Sequence, residues 1–184
     1  MKRNRTKLAI ADAFVQLLHD NTIDKMTVKM ITDFVGCSRK TFYYYFTDVY
    51  ELTRYVCDRH VQEFMTIATG VEGVRDAFLA LVAYLDEHRP VILNMIHGYG
   101  KQELQRFSRK TTRFYTNYFI SHYSNGRNVT EQDLEPVIHM YEYMLHGMLI
   151  DWLEHDMTQF DYQRTLDIAL SGLPYVIEHI EAHK

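Results

Sequence analysis

The stretch Thr27–Phe46, TVKMITDFVGCSRKTFYYYF, decides how the chain folds. Val28, Ile31 and Val35 recur at helical spacing and give a first short helix one apolar face. Gly36 follows, the residue that most easily takes the left-handed conformation ending a helix. Ser38 is placed to cap a second helix, its hydroxyl accepting an N–H that the helix leaves without a partner. Phe42 and Phe46 lie one turn apart and face inward. Arg39, Lys40, Thr41, Tyr43 and Tyr44 then face outward. Cations, a hydroxyl and phenols on one short helix suit a polyanion with readable edges, as double-stranded DNA is.

Thr27, Gly36, Ser38, Thr41, Phe42, Tyr43, Tyr45 and Phe46 also carry a resemblance. The stretch resembles the helix-turn-helix of the TetR family of bacterial transcription regulators. There a threonine opens the second helix, a glycine fills the turn, and a Ser-x-x-Thr-aromatic-Tyr-x-Tyr-Phe run follows. Val49 stands where family members often carry a phosphate-gripping lysine. The expected fold is all-α, with about nine helices in all. A three-helix helix-turn-helix domain covers residues 1–47, and a helical regulatory and dimerisation body covers 48–184. The expected DNA contacts are Thr27, Lys29, Ser38, Arg39, Lys40, Thr41, Tyr43 and Tyr44. Arg39 is the candidate for a bidentate contact to guanine, which accepts two guanidinium donors in the major groove. Thr27 and Lys29 are candidates for phosphate.

Charge supports the same reading. The 184 residues carry a net charge of −4, yet residues 1–47 hold eight Lys or Arg against four Asp. A basic head on an acidic body directs the head toward phosphate. Lys2, Arg3, Arg5 and Lys7 are expected to form a basic arm before the first helix. Hydrophobic residues make up 47% and charged residues 24%, the composition of a globular protein. There is no run of eighteen apolar residues, so no membrane span is expected, nor is a signal peptide. Cys37 and Cys57 form no metal or redox motif and are expected to be reduced thiols of a cytoplasmic protein.

Beyond the head, Asp48 and Glu51 open a long helix whose pattern breaks at Gly70–Gly73. Phe78, Leu81, Val82 and Leu85 mark a fifth helix, Pro90 opens a sixth, and Gly98 and Gly100 end it. A seventh helix runs over residues 101–123. Its cations Arg106, Arg109, Lys110 and Arg113 read as a solvated face. Thr130 and Asp133 start an eighth, carrying Val137, Tyr141, Leu145, Met148 and Trp152 on one side. The stretch from Gly147 to Trp152 resembles one found late in many TetR-family bodies. In a final helix kinked at Pro174, Leu166, Leu170, Leu173, Ile177 and Ile180 make a heptad-like stripe.

These late stripes pack against their own body or against a second copy. The resemblance implies the second, a homodimer joined by the last two helices. The expected interface is Val137, Tyr141, Met148, Trp152, Leu166, Leu170, Leu173 and Ile177. A dimer sets two recognition helices one DNA turn apart, about 34–36 Å, on a palindromic operator. The resemblance further implies a repressor released by a small effector or a partner protein. Tyr84, Met95, Phe107, Phe114, Tyr118, Tyr141 and Met144 are the candidates for an effector pocket. The alternative is an interaction module working with a partner protein and binding little DNA alone.

Catalysis has no support, for neither Gly-x-Ser-x-Gly nor a base near either cysteine is present. The ten histidines include no His-Glu-x-x-His and no Glu-x-x-His, so neither a metal nor a cofactor is expected.

Overall fold

The computed structural model describes residues 2–68, 70–71, 73–158 and 161–183. All its regular elements are helical: α1 (Lys2–Leu18), a 3-10 turn (Ile23–Lys25), α2 (Val28–Val35), α3 (Arg39–Tyr45), α4 (Val49–Ala68), α5 (Val74–Glu87), α6 (Arg89–Ile96), α7 (Lys101–Tyr123), α8 (Glu131–Glu154), α9 (Tyr162–Ser171) and α10 (Leu173–Ala182). Thr69 and Glu72, at the expected break after α4, lie outside the described residues.

Three features differ from the sequence reading. The expected basic arm is helical from Lys2, so it forms the first turn of α1. The 3-10 turn before α2 had no signal of its own. The last helix is two helices rather than one kinked helix, because the chain breaks at Gly172 and Pro174 lies in the first turn of α10. A proline lacks only an N–H that the first turn leaves unpaired anyway.

Residues Met1–Glu63 and Glu87–Phe107 form one compact unit. Its core takes Ile10, Phe14 and Leu18 from α1, Ile31 from α2, Phe42 from α3, and Leu52 and Val56 from α4, all fully or almost fully buried. α6 packs on α1 in this unit. Asn94 Nδ2 donates to the carbonyl of Leu18 at 2.8 Å, satisfying an acceptor the helix end leaves open. Beyond α6 the backbone comes close to the 3-10 turn. A Cβ on Gly98 would lie 2.6 Å from Ile23 Cγ2, so only glycine fits there. The next N–H, of Tyr99, donates to Asp24 Oδ1 at 3.1 Å.

Residues Phe64–Asp86 and Ser108–Lys184 form the second unit. Ile120 of α7, Leu134, Val137 and Tyr141 of α8, and Leu173 and Ile177 of α10 make one buried cluster. Thr130 opens α8 with a capping box, its Oγ1 accepting from Asp133 N while Asp133 accepts from Thr130 N. The inner side of α7 is unexpectedly hydroxylic. Ser108, Thr111, Thr112 and Thr116 are all buried. Thr112 and Thr116 donate to carbonyls one turn back, at 2.9 and 2.8 Å. Ser108 Oγ meets His146 Nδ1 at 2.8 Å. Burial, then Arg109, lowers the pKa of that histidine, against Glu142.

Candidate nucleic-acid interface

The helix pair α2–α3 is built from short-range chemistry. Thr27 Oγ1 accepts from Met30 N at 3.2 Å and opens α2. Gly36 closes it at φ 73°, ψ 35°, a left-handed conformation that costs a residue with a Cβ. Cys37 N–H then donates to Thr32 O at 3.0 Å, which fixes the turn. Ser38 Oγ accepts from Thr41 N at 3.1 Å and shares a proton with Thr41 Oγ1 at 2.9 Å. α3 is only seven residues long, and Phe42 is its one buried side chain. The Phe42 ring meets Phe46 at 5.8 Å and the edge of Tyr43 at 5.6 Å.

That single anchor leaves the rest of α3 outward. Arg39 and Lys40 are exposed, and Tyr43 and Tyr44 are each 57% exposed. Thr41 and Tyr45 are half-buried. Lys29 also faces solvent, where its ammonium pairs with Asp33 at 2.6 Å on the same helix. Such an exposed pair contributes little and exchanges readily for a phosphate. Lys7 is directed elsewhere: its Nζ lies 4.0 Å from the centre of the Tyr55 ring and 5.2 Å from that of Phe46.

The start of α4 differs from the basic helix end typical of the resemblance. Asp48 Oδ1 accepts from Glu51 N at 2.7 Å. Glu51 Oε2 accepts from the N–H and hydroxyl of Thr47, at 2.6 and 2.8 Å. These bonds hold the Glu51 carboxyl below its usual range. With Val49 half-buried between them, this terminus presents two carboxylates and no cation. Asp48 as cap was legible in sequence, whereas the reach of Glu51 back to Thr47 was not. The two thiols also differ. Cys37, just before the cap of α3, is half-buried, while Cys57 is buried and pushed up to about 12, chiefly by burial.

The other candidate residues are dispersed. Met95 and Phe107 belong to the first compact unit and are buried there. Tyr84, Phe114, Tyr118, Tyr141 and Met144 belong to the second. Tyr84 joins Phe114 and Tyr118 through two rings that were not singled out, Phe64 and Tyr115. The ladder runs Tyr84–Phe64 at 5.8 Å, Phe64–Tyr115 at 5.3 Å, Tyr115–Phe114 at 5.3 Å and Phe114–Tyr118 at 6.2 Å. Tyr141 stands apart, donating to Ala169 O at 3.0 Å, and Met144 packs against the α8–α10 cluster.

Of the stripe expected at a dimer interface, Val137, Tyr141, Leu173 and Ile177 lie inside that cluster, with Leu170 packed against it. Met148, Trp152 and Leu166 are buried as well. Within the single chain these residues form the inward faces of the amphipathic helices. The same helices leave other apolar residues in solvent. Met140 and Tyr143 on α8, Ile168 on α9 and Tyr175 on α10 are 51%, 70%, 66% and 74% exposed. No group of three or more His, Cys, Asp or Glu among the described residues is arranged to hold a metal.

Residues 72–161 match a TetR family model, the transcriptional regulator C-terminal region. Just under half of the chain thus resembles the TetR family. Over 84 residues it is 30% identical to the HTH-type dhaKLM operon transcriptional activator DhaS of Lactococcus lactis subsp. lactis (strain IL1403). That match takes in 46% of this chain and 45% of the relative, so the chain spans a little under half the length of the curated protein it matches. The solved structure of the dihydroxyacetone kinase operon activator DhaS shares the fold, with a TM-score of 0.64 over 96% of this chain and 94% of that one. At 16% identity this likeness concerns the fold alone. No helix among the described residues is long and apolar enough to cross a membrane.

Proposed function

We propose that this chain is a TetR-family regulator that binds a palindromic DNA operator as a homodimer, in the cytoplasm, with residues 1–47 reading the DNA and 48–184 regulating and dimerising. The observation that carries this is α3, whose one apolar anchor turns Arg39, Lys40, Tyr43 and Tyr44 outward together. Arg39 reads a guanine edge. Lys40, Tyr43 and Tyr44 hold phosphates and set the helix in the groove. Thr27 and Ser38 serve first as caps, and their exposed helix ends offer backbone N–H groups to phosphate. With the α4 terminus acidic, α2 and α3 carry most of the phosphate contact. The dimer is supported by the apolar residues that α8, α9 and α10 leave exposed, Met140, Tyr143, Ile168 and Tyr175.

Fluorescence anisotropy on labelled duplexes from the chain's own upstream region tests this. Specific binding that weakens steeply with salt is expected, since several cations displace counterions. Equal affinity for scrambled duplex would overturn it. The direction of regulation has two readings. The resemblance in the helix-turn-helix implies repression, whereas the Lactococcus relative is an operon activator. A reporter behind the same duplex separates them by falling or rising when the chain is expressed.

A further inference from the structure

Within the first compact unit, the first turns of α4 and the α6–α7 corner enclose a groove of about 650 Å³. That is the size of a small-molecule site. One wall is a pair of phenol rings. Tyr50 and Tyr99 have centroids 4.0 Å apart and planes inclined by 40°. Tyr99 is the fixed member: its N–H is held by Asp24, the adjacent Gly98 is seated on Ile23, and its ring is half-buried near Thr53. Burial pushes its phenol up to about 12, against a hydrogen bond with Thr53 and with Tyr50, Asp24 and Asp48 adding to the rise, so it stays protonated. Tyr50 is 52% exposed and lines the mouth.

The rim carries two cations. Arg54 and Lys101 line it together with one carboxylate, Glu103. That carboxylate is already matched by Arg106, with Nε 2.8 Å from Oε2, and Arg106 also meets Asp58 at 3.2 Å. Arg54 Nε approaches Glu103 only to 3.4 Å, and its side chain is 56% exposed. Its guanidinium is therefore available to a better acceptor, and bidentate capture of a carboxylate or sulfonate is the interaction it makes best.

We propose that this groove binds a small planar anion, its ring against Tyr50 and Tyr99 and its acid group on Arg54 and Lys101, and that it is an effector site. The regulatory half of this rests on the DNA-binding reading above. The coupling follows from where the walls are attached. Tyr50 belongs to the first turn of α4, which follows the recognition helix, and Tyr99 is bonded to the 3-10 turn that precedes Thr27. A ring inserted at this wall presses on both flanks of the helix pair.

Anilinonaphthalene sulfonate, a planar aromatic anion that fluoresces when shielded from water, is the probe. Titrated into the full chain without DNA, it is expected to saturate. Tyr50→Ala and Arg54→Ala should each weaken its binding by about tenfold, the loss expected of one ring contact or one charge-assisted hydrogen bond. Tyr50→Phe should bind as the parent does. Both truncated side chains are exposed, and unchanged thermal unfolding will establish that the variants are folded. No saturable signal, or one indifferent to both truncations, overturns the site. Operator affinity with and without the dye is measured separately. If the chain binds the dye at this rim and its operator affinity does not move, the site stands and its effector role falls.

Discussion

Helices α3 and α8 both carry aromatic residues at helical spacing, and they direct them oppositely. α3 buries Phe42 alone and turns Tyr43 and Tyr44 to solvent. α8 buries nine side chains, Tyr141 and Trp152 among them. The difference follows from length and from what holds each helix. Seven residues cannot bury enough apolar surface to fix an orientation, so α3 is held by its cap, its turn and one ring, which leaves the remaining positions for recognition. Twenty-four residues in α8 supply a continuous inward stripe, and packing of that stripe sets the helix. The other side of α8 leaves Met140 and Tyr143 in solvent.

The sharpest way to break this contrast is to truncate both sides of the α8–α10 layer. Ile177→Ala, in the core of its own chain, should cost about 2–5 kcal/mol in urea unfolding, measured at a concentration low enough for the chain to be monomeric. Tyr143→Ala should move the same midpoint by less than about 0.5 kcal/mol. It should instead weaken self-association in sedimentation. Inverted results would return the heptad stripe to the dimer interface. On α3, Arg39→Ala and Tyr43→Ala should each lower operator affinity by about 1–3 kcal/mol, roughly 5- to 150-fold, with unfolding unchanged.

Substitutions in the scaffold of α3 should do the opposite, costing stability before recognition. Gly36→Ala forces a Cβ into the left-handed region and should cost about 1–2 kcal/mol. Ser38→Ala removes the cap and should cost about 1 kcal/mol. Chemical unfolding of both variants checks the order. The smallest effect is in pH. His60 in the first unit is held below the usual histidine range by burial, with Arg59 and His88 adding to it and Glu63 and Asp12 opposing. His146 in the second is held down by burial and Arg109. A histidine that protonates more easily when unfolded is neutral in its effect above its unfolded value, about 6.5, and destabilises as pH falls below it. Stability should therefore decline from about pH 7.5 to 5.5, and His60→Gln and His146→Gln should each flatten the profile. Equal slopes in parent and variants would remove both histidines from the account.

The same contrast explains what was legible in the chain itself. Thr27, Gly36, Ser38, Thr130 and Asp133 act on neighbours three or four residues away, so their sequence carried their structure. The boundaries of α7 were legible for the same reason, between Gly100 and the Ser124–Asn128 turn. Apolar periodicity gave the inward faces of α8 and α10 but not what covers them, because a core and an interface have the same spacing. Nor did it foresee the buried hydroxyls of α7. Thr112 and Thr116 satisfy themselves on their own helix, which lets polar residues occupy an inward face. The seating of Gly98 on Ile23 joins residues far apart in sequence, and only the fold brings them together.

The two thiols have a practical consequence. Burial raises both thiols above the usual cysteine range, but Cys57 is shut away, whereas Cys37 is partly open and lies next to the capping serine of α3. A maleimide dye offered to the unmodified protein will thus attach beside the recognition helix. Where the proposed DNA binding holds, its emission reports docking on a duplex, with no engineered cysteine.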